Sequence, residues 1–198
     1  MFSRPSWTLV ILSVLGVCHL TAQDAATVRA KARAGAEKDF KSKLLLDKID
    51  PFTHERLRAT QTDGIFWGPG ECGSRRMSYL TLATKRVDKE STSVFLLLKY
   101  HADNWLFLSD TARLQVLADT TLLGFPALGK ARQETASDAS VTETQAFAAT
   151  RRQLGMMADA DDVLVRLVGR DRACEGRVIP YALAVLWMFV GQVLADMQ

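Results

Sequence analysis

The sequence predicts an α+β fold: an antiparallel β-meander sheet packed by an N-terminal helix, a middle helix and an apolar C-terminal helix. Three observations predict it. Short apolar runs broken by turn residues recur between Arg75 and Ala118. A stretch rich in alanine, lysine and glutamate precedes them, and an almost wholly apolar stretch closes the chain. Strands joined by turns this short pair antiparallel, and the resulting sheet needs helices to cover its apolar face.

Residues 1–22 read as a cleaved export signal. Arg4 supplies the positive start, Thr8 to Leu20 form an apolar run shorter than a bilayer span, and "LTA" places small residues before the cut after Ala22. Residues 23–50 follow as the N-terminal helix, with helix-forming residues up to a stop at Pro51. Val28, Ala32, Phe40, Leu44 and Ile49 recur at near-helical spacing. Six basic residues against two acidic ones lie from Arg29 to Lys43. Such a surface suits either solvent or an acidic membrane, and the mostly alanine stripe favours solvent.

Residues 51–198 form a single α+β domain, long enough for one hydrophobic core. Strands are predicted over Arg75–Thr84, Thr92–Tyr100, Asn104–Leu108 and Ala112–Ala118. The second of these is expected at the centre, because Val94, Leu96, Leu98 and Tyr100 point one way and Phe95 and Leu97 the other. Ser140 and Glu143 have capping-box spacing, which predicts the middle helix from there to about Met157, with Phe147, Thr150, Leu154 and Met157 facing the core. A hairpin follows: Asp162–Gly169, a turn, and Ala173–Ile179. Pro180 suits a first helical turn, and Tyr181–Asp196 is apolar on nearly every side, so that helix must be hidden, in the core, by a partner or in a membrane. The core is the preferred place because the sheet needs cover.

Chemistry is constrained by compartment. The chain has three cysteines, and Cys18 leaves with the signal. In an oxidising compartment the remaining pair, Cys72 and Cys174, is expected to form a disulfide. The alternative is a thiol-dependent or hydrolytic enzyme that uses Cys72 or Ser74 with His101 as base and Asp103 orienting it. Trp67, Arg75 and Arg76 form an alternative binding surface, since aromatic and arginine side chains dominate recognition hot spots. No metal site is expected: the zinc spacings are missing, and "DADD" (Asp159–Asp162) lacks the spaced ligands of a calcium loop. No cofactor motif occurs, and Gly68–Gly73 lacks the terminal residues of a phosphate loop.

The formal net charge of +3 falls slightly with loss of Arg4, and no concentrated basic face points to nucleic acid. Asn104, the sole asparagine, is followed by Trp-Leu, so there is no glycosylation acceptor. The expectation is therefore an exported periplasmic or secreted protein, a bacterial envelope being favoured. It is read as a non-enzymatic binding or interaction module whose partner is an envelope or extracellular protein or a small ligand. Attachment to a membrane through the C-terminal helix is a further alternative.

Overall fold

A computed structural model describes residues 11–67, 77–86 and 91–197. Helix α1 (Ile11–Lys43) leads into nine strands: β1 (Leu44–Ile49), β2 (Glu55–Trp67), β3 (Met77–Arg86), β4 (Thr92–Ala102), β5 (Arg113–Ala118), β6 (Thr121–Thr135), β7 (Val141–Ala149), β8 (Val163–Val168) and β9 (Ala173–Val178). Helix α2 (Arg151–Asp159) joins β7 to β8, and α3 (Pro180–Met188) runs on into a π-helical turn, Phe189–Val193. The fold class is α+β, with an N-terminal, a middle and a C-terminal helix around an antiparallel sheet.

Every strand pairing is antiparallel, and the spatial order is β1-β2-β3-β4-β7-β6-β5-β8-β9. The sheet then returns on itself. β9 pairs with the end of β2, Ile65 opposite Val178 and Trp67 opposite Gly176, while the first half of β2 carries β1 on that edge. Among the described strands, only β1 lies outside this closed circuit. Closure satisfies edge amides that an open sheet leaves exposed to water.

β4 is central, flanked by β3 and β7. Its Val94, Leu96, Leu98 and Tyr100 are buried, and Phe95 and Leu97 are half-buried. Leu114 and Val116 of β5, with Val163, Val165 and Leu167 of β8, join the same core. So does α3, where Ala182 to Leu186 are consecutively buried. A helix buried on successive residues has no wet side, which explains its apolar sequence; burial of Leu183, Val185 and Leu186 contributes about 1.5–3 kcal/mol each. Pro180 occupies its first turn. α1 packs on α3 through buried Ala36 and Phe40, with the Arg33 guanidinium 4.6 Å from the Trp187 ring centre and the Lys43 ammonium 5.9 Å from that of Tyr181. Their basic heads stay partly wet while aromatic faces receive the charge.

Three local expectations are corrected. The N-terminal helix stops at Lys43, not Asp50: Leu44–Ile49 pairs with β2, whose first half would otherwise lack a neighbour on that side. The middle helix starts at Arg151, and Val141–Ala149 is a strand between β4 and β6. There Val141, Glu143, Gln145 and Phe147 are buried in two-residue alternation, so two-sided sheet pairing overrides the local helix signal. The capping box is real but displaced: Thr150 accepts from the Gln153 amide, and the Gln153 side chain accepts in return from the Thr150 amide. Finally, Asn104–Leu108 is not a strand, because its amides bond to a side chain instead of a neighbouring strand. β6 carries no clean strand signal in the sequence, broken as it is by Gly124, Pro126 and Gly129.

Candidate functional site

The sheet register gathers four connections at one end. Ala102, the last residue of β4, lies opposite Val141, the first of β7. Met77 at the start of β3 lies opposite Tyr100, and Val168 at the end of β8 opposite Ala173 at the start of β9. Segments 103–112, 136–140 and 169–172 therefore leave from the same end as the chain joining β2 to β3.

Glu143 organises this end. It is fully buried in β7, between Tyr100 and Gln133 in register. Its carboxylate accepts the Leu106 amide at 2.6 Å, the Leu108 amide at 2.8 Å and the Gln133 side-chain amide at 2.8 Å. Three donors offset the desolvation that a bare buried carboxylate incurs. Leu106 and Leu108 turn into the core, and the residue between them is forced outward. That residue, Phe107, is 39% exposed and has φ +54°, a left-handed backbone that a bulky side chain rarely adopts. Tyr100 supports the loop from below, donating its hydroxyl to the Asn104 carbonyl at 3.0 Å. Burial pushes the Tyr100 phenol above its ordinary range.

The β8–β9 turn clasps the same loop. The Gly169 amide donates to the Arg172 carbonyl at 2.9 Å, and the Arg170 amide to the Leu106 carbonyl at 3.2 Å. Gly169 is needed because a Cβ there would stand 2.0 Å from the Leu106 carbonyl oxygen. Arg172 donates to the Trp105 carbonyl from Nε at 3.0 Å and Nη2 at 2.6 Å. Trp105 stacks with Phe107 at 6.3 Å between ring centres, and the Arg170 guanidinium lies 4.6 Å from the Phe107 ring centre. Arg170 also pairs with Asp171, whose carboxylate raises the guanidinium further. The product is an exposed aromatic and arginine cluster on a buried carboxylate footing.

The residues singled out from the sequence are distributed as follows. Trp67 ends β2 opposite Gly176, so it reaches this end of the sheet. Arg75, Arg76, Cys72 and Ser74 lie outside the described residues. Cys174 is fully buried on β9. His101 is half-buried, its Nδ1 2.9 Å from the Thr142 hydroxyl, and Asp103 follows on the exposed loop. His54 lies in the β1–β2 turn, away from this cluster. The acidic run Asp159–Asp162 is occupied by arginines: Arg29 pairs with Asp161, Arg33 with Asp159 at 3.6 Å, and Arg177 with Asp162 at 3.2 Å. Among the described residues, no three His, Cys, Asp or Glu side chains are grouped to hold a metal ion, and no helix is long and apolar enough to cross a membrane.

Phe107, Arg170 and Arg172 carry no functional signal in the sequence. Glu143 has the spacing of a helix cap, and only its place opposite Tyr100 gives it another meaning. No protein-family model, curated protein or solved structure matches the chain.

Proposed function

We propose that the chain is an exported, non-enzymatic binding or interaction module that meets an envelope or extracellular protein, or a small ligand, through the loop-bearing end of its sheet. The observation that carries this reading is Phe107, kept exposed in a left-handed conformation by the two amides that Glu143 holds. Strain retained at a surface aromatic is characteristic of sites built to present a side chain, and aromatic and arginine side chains dominate binding hot spots. Trp67, Arg75 and Arg76 belong to the same reading, since the β2–β3 connection leaves from this end.

Export is part of the proposal and rests on residues 1–22. The Cys72–Cys174 disulfide belongs with it. Trp67 lies opposite Gly176, so the chain that carries Cys72 departs beside the strand that carries Cys174. Cys174 is fully buried, out of reach of solvent reductants, which suits a bridge. A bridge across about 100 residues stabilises by up to ~4.7 kcal/mol in the chain-entropy model.

A thiol-dependent or hydrolytic enzyme using Cys72 or Ser74 is the second reading. It is favoured by one observation: His101 is a single step beyond Tyr100, the register partner of Met77, and so lies near where that connection rejoins the sheet. Alkylation of the mature protein from its own compartment separates the two. The binding reading predicts no modification at neutral pH until reductant is added, then modification of both cysteines. Rapid modification of Cys72 without reductant would replace it with the enzyme.

A further inference from the structure

We infer that the loop-bearing end recognises a side-chain carboxylate from an acidic segment of a partner protein, which takes the place of Asp171 on Arg170. The inference rests on the reading of this end as the recognition surface and names the chemistry it selects.

Arg170 is held for such a ligand. Its guanidinium lies over the Phe107 ring, and its backbone amide is tied to Leu106, so its base is fixed before any partner arrives. Its present anion is the neighbouring residue. Asp171 accepts from Arg170 Nε at 3.2 and 3.1 Å and from Nη2 at 3.0 Å, and the two side chains are 67% and 58% exposed. An ion pair so wet contributes little and is easily exchanged. An incoming carboxylate recovers the same fork of donors and adds contact with the aromatic pair.

Arg172 adds a second guanidinium to the turn. Its Nε and Nη2 go to the Trp105 carbonyl, and among the described residues no carboxylate forms an ion pair with it. The turn itself holds two guanidiniums and one displaceable carboxylate, while Asp103 and Asp110 lie on the facing loop. A carboxylate that reaches the turn meets both guanidiniums, whereas a cationic group there meets their repulsion.

The test is an NMR titration with poly-L-glutamate, following the Arg170 Nε–Hε and Phe107 ring signals in the wild type, Asp171→Asn and Arg170→Gln. Both substitutions are at exposed side chains and leave the core intact. Expected are shifts confined to residues 103–112 and 169–172, binding by Asp171→Asn tighter by roughly two- to fivefold, and no response in Arg170→Gln. Equal or weaker binding by Asp171→Asn, or a response that survives in Arg170→Gln, overturns the inference. A partner that crosslinks from position 107 and still binds Arg170→Gln leaves the recognition surface standing and removes only the carboxylate. No crosslink from position 107 removes the surface itself.

Discussion

The carboxylate of Glu143 accepts the amide of Leu106 at 2.6 Å, across 37 residues of chain. With the second bond to Leu108, this makes a buried strand residue the template for an exposed loop. Glu143→Gln keeps the shape but turns an NH2 group toward amides that need an acceptor. The variant should lose about 1–3 kcal/mol of stability. Urea unfolding measures the loss, and hydrogen exchange at Leu106 and Leu108 should accelerate beyond the global change.

Phe107 permits a comparison of two truncations. Phe107→Ala and Phe107→Gly both delete the ring, but only glycine relieves the left-handed backbone. Phe107→Gly should therefore be more stable than Phe107→Ala by about 1 kcal/mol. Equal urea midpoints would mean that the loop relaxes once the ring is gone.

Gly169 is fixed by proximity to the Leu106 carbonyl. Gly169→Ala brings a methyl against backbone that is itself bonded to the Arg170 amide, so neither side yields freely. A loss of about 2–4 kcal/mol is expected, seen as a lower melting temperature.

Acid sensitivity should come partly from β1. The Asp47 carboxyl is lowered mainly by its hydrogen bonds to Arg56, opposed by partial burial and assisted by Arg58. A lowered folded-state value means that the folded chain prefers the charged form. This contribution is complete above the unfolded carboxyl value of about 3.9 and disappears as pH falls through the lower folded value. Asp47→Asn should flatten that limb of a stability profile between pH 2 and 5, leaving the alkaline limb unchanged. On that alkaline side the raised Tyr100 works in the opposite sense: its contribution is present below about pH 10 and fades as pH rises through its folded value.

Much of the fold is legible in the residues. Alternation across Thr92–Tyr100 marks the central strand, and continuous apolarity after Pro180 marks a helix with no wet face. These signals are local, and the structure uses them as they stand. Val141–Ala149 shows the limit. Ser140 and Glu143 have the spacing of a helix start, yet β4 and β6 present ladders on both sides, and long-range pairing decides. The candidate site is less legible for the same reason. Glu143 acquires its role only when Leu106 and Leu108 arrive from another connection, and Arg170 only when Phe107 lies beneath it. No spacing in the chain encodes either meeting.

The most direct test of the recognition surface places a photoreactive phenylalanine analogue at position 107 and, separately, at position 122. Leu122 is 67% exposed but lies beside the β5–β6 turn, at the far end of the sheet. Irradiation in the protein's own compartment should give one discrete adduct from position 107 and none from position 122. No adduct from position 107, or the same adduct from both, would contradict the account.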